Sequence, residues 1–328
     1  TAKKLDIGIE LGFLQRFTLE FDYFNERRTD LLIPRTGSIP YVSGIVNEFG
    51  KTAIIPAENI GEVKNSGVEV QLGYNQTVGD FNINLNGNFT YNKSEAIFLD
   101  DAAGIPDYQR RIGSPLESQL LYRAIGIFKT AEDLATYPKL PGNQLGDLIF
   151  QDVNNDGQIN ANDRVREDLS NVPQIIYGFG ASVMYKNFDF NILLQGQARV
   201  VQYVLQEAGS VGNYFNSWAE NRWSPDNTGG TYPRVDTRTS SSINGGLNRN
   251  DFWLYNTSFL RIKNVELGYN LPVGVAEKVK LSGARIYVSA FNLATFSKVK
   301  DFDPEGRSES AQFYPQLQIF NIGVNLKF

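Results

Sequence analysis

From Phe81 to Asn92 the chain alternates with almost no break: apolar Phe81, Ile83, Leu85, Phe89 and Tyr91 are interleaved with Asn82, Asn84, Asn86, Asn88, Thr90 and Asn92. Successive side chains of a strand point to opposite faces, so this segment has one greasy face and one lined by amides. The rhythm recurs. Leu5, Ile7, Ile9, Leu11 and Phe13 alternate with Asp6, Gly8, Glu10 and Gly12, and Phe17, Leu19, Phe21 and Tyr23 with Thr18, Glu20 and Asp22. Val68, Val70, Leu72 and Tyr74 alternate with Gly67, Glu69, Gln71 and Gly73. Phe188, Phe190, Ile192 and Leu194 do so with Asn187, Asp189, Asn191 and, less cleanly, Leu193. The last residues follow suit, Phe320, Ile322, Val324, Leu326 and Phe328 against Asn321, Gly323, Asn325 and Lys327.

Three all-β architectures use such strands: a sandwich, a small soluble barrel, and a transmembrane barrel with lipid outside and water inside. Sandwich strands run about 5 or 6 residues. Phe17 to Arg28 and Val63 to Asn75 are longer, and reach the roughly 9 to 11 residues of a tilted membrane crossing. Tight connections at Gln15-Arg16, Val78 to Asp80 and Lys186-Asn187 alternate with long ones near 29–62, 95–173, 206–251 and 295–313. Short periplasmic turns and long outer loops have that pattern. The expectation is an antiparallel transmembrane β-barrel portion with about nine strands, each long alternating segment crossing once.

Composition narrows the chemistry. No apolar run approaches the 18 or so residues of a helical span. The chain has no Cys and no His, which removes thiol nucleophiles, disulfides, His-based triads and the usual zinc ligand sets. A formal charge of −5 argues against nucleic acid. Paired acids at Asp100-Asp101 and Glu132-Asp133 are adjacent in sequence and fit solvated loop charge, so no catalytic residue is expected. The chain opens in strand-like sequence at Leu5 without a secretory leader, and is expected to be the later part of a longer polypeptide.

The sharpest motif lies in the second long loop. Asp152, Asn154, Asp156, Gln158, Asn160 and Asp163 occupy the ligand places of a twelve-residue calcium loop, with Gly157 at the sharp turn and Ile159 as its apolar anchor. Asp163 stands where Glu is usual. The expected role is to staple a loop with little apolar material of its own, the alternative being an acidic turn that stays empty. Tyr214, Phe215, Trp218 and Trp223 cluster in the third long loop. They are candidates for contact with cargo or a lid, or for loop packing.

The order of landmarks resembles the C-terminal part of SusC-like TonB-dependent outer-membrane transporters. The matching stretches include TDLL at Thr29 to Leu32, VKNSGVEVQLGYN at Val63 to Asn75 and GDLIFQDVNNDGQINANDR at Gly146 to Arg164. RWSPDNTGGTYPR at Arg222 to Arg234, SFLRIKNVELGYNLP at Ser258 to Pro272 and ARIYVSAFNLATFSK at Ala284 to Lys298 continue the series. The resemblance implies a large, 22-stranded barrel with an N-terminal plug, coupled to TonB, importing oligosaccharides or peptides beneath a SusD-like lipoprotein lid. It also implies dimers of transporter–lid pairs, no enzymatic activity, a Gram-negative outer-membrane location, and Phe328 as the aromatic signal for barrel insertion. The rivals are a non-transporting barrel scaffold in a secretion or surface assembly and a soluble β-sandwich adhesin. A carboxylate-based hydrolase ranks below both.

Overall fold

The alternating segments form strands, and nine of them join side by side in the computed structural model, which describes residues 1–35, 37–38, 57–207, 213–235, 243–309 and 312–328. They are β1 (Ala2–Phe13), β2 (Phe17–Pro34), β3 (Ala57–Val78), β4 (Phe81–Phe98), β5 (Ile175–Tyr185), β6 (Phe188–Ala198), β7 (Phe259–Asn270), β8 (Gly283–Ser297) and β9 (Ile319–Lys327). Every neighbouring pair is antiparallel and the spatial order follows the chain order. The described residues form an open meander with β1 and β9 at its edges.

Register turns nine two-faced strands into a two-faced wall. Phe13, Phe17, Tyr74, Leu85, Ala181, Ile192, Val265, Ala290 and Phe320 follow one another as direct partners from β1 to β9. A second apolar row runs Ile83, Val183, Phe190, Leu267, Val288 and Ile322. A slip of one residue anywhere would move a whole strand's apolar set to the other face. Leu72, Phe179, Phe188, Leu267, Ile286 and Val288 remain exposed on this side. The irregularity at Leu193 coincides with a bulge, where the pairing of β6 with β7 shifts between Leu193 and Leu194 and skips Lys263. The bulge restores the alternation beyond it.

The short connections share one end of the sheet. Residues 14–16, Gly79-Asp80 and Lys186-Asn187 make three of them, with Leu14, Gln15, Gly79 and Lys186 in the left-handed region that tight hairpin turns use. The fourth, residues 271–282, carries a one-and-a-half-turn helix, α1 (Val273–Lys278). Beside these turns aromatic rings meet in pairs: Phe13 with Phe17 at 5.1 Å, Phe17 with Tyr74 at 4.7 Å, Phe81 with Tyr185 at 4.3 Å, and Phe188 with Tyr269 at 4.8 Å. A band of rings at one rim is what a membrane interface selects.

At the opposite end the strands outrun the sequence expectation. β2 continues to Pro34 and β3 begins at Ala57, inside the stretch expected to be loop from 29 to 62. Their pairing shifts between Arg28 and Leu31 and again at Leu32, and Asp30 adopts φ 59. The bulge breaks the period of two while the ladder goes on, so pattern alone stops early.

The long outer connections pack together. Within them, Leu120–Tyr122 pairs with Arg164–Arg166, Ala124–Ile127 with Leu148–Phe150, and Val201–Tyr203 with Leu254–Asn256. Two dry clusters hold them: Tyr122, Ile127, Leu148, Phe150, Ile159 and Trp223, and beside it Leu121, Tyr203, Trp218 and Trp253. The expectation of loops poor in apolar material is therefore corrected. Most of the fully buried hydrophobic side chains described lie in these loops, while the wall keeps its apolar residues on the surface.

Candidate functional site

Two regions could meet cargo or partners: the polar face of the wall and the loop body above it. The amide row of β4 lies flat on that face. Asn88 and Asn86 reach across Gly178 and Gly180 of β5, where any Cβ would collide with them. The glycines thus let a row of amides lie against the wall. On β1 to β3 the same face carries Asp6, Glu10, Glu20, Asp22 and Glu69 and is acidic.

Toward β8 the charges become paired. Arg285 donates through Nε to Asp189 at 3.0 Å and through Nη2 to Glu266 at 2.6 Å, and Asn270 donates to Asp189 at 3.0 Å. Nearer the outer rim Arg261, only 1% exposed, grips Asp303 with two hydrogen bonds of 2.9 and 2.8 Å. It also binds Glu305 and Thr295, and Gln195 reaches Glu305 at 3.2 Å. The segment after β8 is thereby drawn onto the polar face. Both Asp303 bonds come from Nη2, while Nη1 serves Glu305 and Nε serves Thr295. A buried guanidinium engaged at all three nitrogens fixes geometry more firmly than an exposed pair. Sequence reading missed both clusters. Arg261 and Arg285 do sit at polar places of their strands, but their partners follow only from the strand order and from how a loop folds back.

Asp152 to Asp163 wrap as the spacing suggests. The Asp152 carboxylate accepts from the backbone amides of Asp156 at 3.2 Å and Gly157 at 2.8 Å; Gly157 adopts φ 79. Asn154 Oδ1 accepts from the Asp156 amide and its Nδ2 donates to Asp156 at 3.0 Å. The Gln158 amide, then the Asn154 side chain, hold the Asp156 carboxyl below the usual carboxylate range. Asp163 is fully buried, accepting from Val153 at 3.0 Å and from Asn160 at 2.8 Å. Among the described residues, no three acidic side chains gather closely enough to hold a metal by themselves. A cation here would need the amide and backbone oxygens of Asn154, Gln158 and Asn160 as well, a mixed oxygen set that calcium accepts. Ile159 is buried against Tyr122, Phe150 and their neighbours, so the turn is anchored in the loop core.

The aromatic candidates are placed differently from one another. Trp218 is 1% exposed, donates its indole N–H to the Pro233 carbonyl at 2.9 Å and touches Tyr214 and Trp253. Trp223 is buried beside Ile159. Packing, of the two readings open for these tryptophans, is what such burial serves. Tyr214 and Phe215 are half-buried, and Phe215 lies 6.3 Å from Phe302. Cross-links tie the loops into one body: Asp147 binds Arg234 at 2.7 Å and Asn244 at 2.9 Å, and Arg249 binds Glu309 at 2.7 Å. Phe328 ends the chain two residues beyond Leu326, on the apolar side by parity and strongly exposed.

Similar proteins agree with this arrangement. The family model described as TonB dependent receptor-like, beta-barrel matches residues 1–293. TonB-dependent receptor P3 of Formosa agariphila is 31% identical over 359 residues, covering 100% of this chain and 34% of that protein. TonB-dependent receptor SusC of Bacteroides thetaiotaomicron is 26% identical over 341 residues, covering 98% of the chain and 31% of that receptor. Among solved structures, the RagAB peptide importer in its closed-closed state superposes over 100% of the chain and 35% of the solved one, with TM-score 0.68 and 25% identity. The chain spans about a third of the length of the curated relatives it matches. The family is one of receptors and transporters of the Gram-negative outer membrane, not of enzymes. With its apolar rows in register, its aromatic rim and its one-sided long loops, the chain belongs to the TonB-dependent receptor β-barrel family and is SusC-like within it.

Proposed function

We propose that this chain forms part of the barrel wall and outer loop body of an importer that moves oligosaccharides or peptides across the outer membrane, driven through TonB. The carrying observation is the two-faced wall: apolar residues in register on one side, amides, carboxylates and paired arginines on the other. A polar face of that breadth suits cargo rich in hydroxyls or amides. Peptide is the first class to test, because a structural neighbour is a peptide importer. A SusD-like lipoprotein is the partner proposed for the loop body, and paired transporter–lid units the assembly; both rest on the SusC and RagAB likenesses. The TonB contact and plug come from the family, and no residue of this chain is assigned to them. The test is deletion of the receptor gene, followed by growth on defined peptides or oligosaccharides as sole source. Growth should fail on one class, return with the wild-type gene, and stop when the proton gradient is collapsed. Undiminished growth of the deletion strain on every cargo would defeat the import reading.

We also propose that the loop from Asp152 to Asp163 takes up one calcium ion, with Asp152, Asn154, Asp156, the Gln158 carbonyl, Asn160 or a water in its place, and Asp163 as the oxygen ligands. The support is the turn itself, already wrapped by the Asp152 carboxylate and anchored through Ile159. The ion's role is structural, adding to a loop core that has its own apolar packing.

A further inference from the structure

Gly87 opens a dent in the apolar face. It pairs with Leu72 on β3 and Phe179 on β5, and the row beneath runs Phe17, Tyr74, Leu85. These residues line a groove of about 420 Å³. Leu72 and Phe179, 48% and 42% exposed, stand as its ridges. Neither crowding nor backbone conformation calls for glycine at the floor. A Cβ on Gly87 would meet nothing nearer than the Gly178 carbonyl at 3.7 Å and Phe179 at 3.9 Å, and its φ lies outside the left-handed region. A glycine inside a strand weakens it, and is found where a ligand comes close to the backbone.

The lining selects the ligand's chemistry. Asn86 contributes at the floor, but its amide lies across Gly180 on the opposite face. The Tyr74 hydroxyl is engaged with Gln76. No unengaged polar side chain is thus aimed into the groove, which suits an alkyl chain and not a sugar or peptide. Depth selects the source. Leu85 and Gly87 stand four and six residues beyond Phe81 of the aromatic rim. At about 3.4 Å per residue and a tilt near 45° they lie roughly 10 to 14 Å above it, so the groove runs from the rim pair Phe17 and Tyr74 on the short-turn side up to about the middle of a band about 25 Å tall.

We propose that this groove seats one acyl chain of a phospholipid from the leaflet on the short-turn side. The proposal rests on the apolar face meeting lipid, as the import reading does. Its test uses the intact receptor, purified in mild detergent from membranes containing phosphatidylethanolamine and lipopolysaccharide, with bound lipids counted by native mass spectrometry through successive washes. Wild type and Val288→Leu, a bulkier residue elsewhere on the same face, should keep one phospholipid that Gly87→Leu loses. Phe179→Ala, which removes a ridge, should lose it too, so the outcome does not hang on one variant. Heat-modifiable gel migration should be the same for all; its absence in wild type would count against the membrane wall itself and not against the groove alone. Equal phospholipid counts in all variants, a retained lipid A species, or a dimer lost in Gly87→Leu with lipid unchanged would each overturn the proposal.

Discussion

Val324 and Asn325 are neighbours in sequence and opposites in surroundings. Val324 pairs with Ile286 on the apolar face, and Asn325 pairs with Arg285 on the polar one. An Arg at position 324 must reach out of hydrocarbon, at a cost of roughly 2 to 4 kcal/mol near the midplane, whereas Asn325→Arg keeps its charge on the wet side. Val324→Arg should therefore lower the yield of folded receptor in a membrane-insertion assay while Asn325→Arg stays near wild type; equal yields would contradict the assignment of faces. Trp218 obeys the opposite rule, being buried by protein. Trp218→Ala removes a side chain packed on Trp253 and Tyr203 and should destabilise the loop body by about 3 to 5 kcal/mol. Membrane insertion should be unaffected, so faster proteolysis of the loops in a normally inserted receptor is the expected result.

Among the elements, the loop from Asp152 to Asp163 makes a claim that calcium titration can settle. If it takes the ion, saturation a hundredfold above Kd should stabilise the loop body by about 2.7 kcal/mol. Asp152→Ala with Asp156→Ala should abolish that gain, and lower the calcium-free stability too because both carboxylates accept backbone amides of the turn; a calcium response that survives in the double variant would place the ion elsewhere. The segment after β8 is held by Arg261, so Arg261→Ala should free it, and limited proteolysis near residues 301–309 should quicken while β7 and β8 keep their pairing. A protease-resistant segment would show that the aromatic contacts of Phe302 with Phe215 and Phe313 suffice. The strands were legible because a period of two, repeated over ten residues, admits little else, and the face of Val324 follows from parity alone. Legibility ended where parity failed: at the bulge near Arg28, and in the pairing of Arg261 with Asp303, which depends on a loop returning to the wall. The calcium-type spacing could be seen in sequence because its ligands are local. The core around Tyr122 and Trp223 could not, since its members come from two different loops.

At the scale of the molecule, the wall and the loop body obey different solvents. The wall turns its apolar side chains outward, and the body folds its own inward around Trp218, Trp253 and Phe150. Their unfolding should accordingly be separable. In a receptor held in detergent, the loop transition is expected at lower temperature than loss of the barrel, because local opening follows the weakest cooperative unit. One coincident transition by tryptophan fluorescence and by strand circular dichroism would argue for a single unit instead. The three tryptophans of this sequence, Trp218, Trp223 and Trp253, all lie in the body, so their fluorescence reports on the loops and not on the wall. The same division shapes calorimetry. Melting the body wets hydrocarbon that was dry and must raise the heat capacity, whereas a wall side chain that leaves lipid only on unfolding contributes little to that first step. The body of this membrane protein should therefore show the curved stability profile of a water-soluble globule, with a temperature of greatest stability and a decline on the cold side of it.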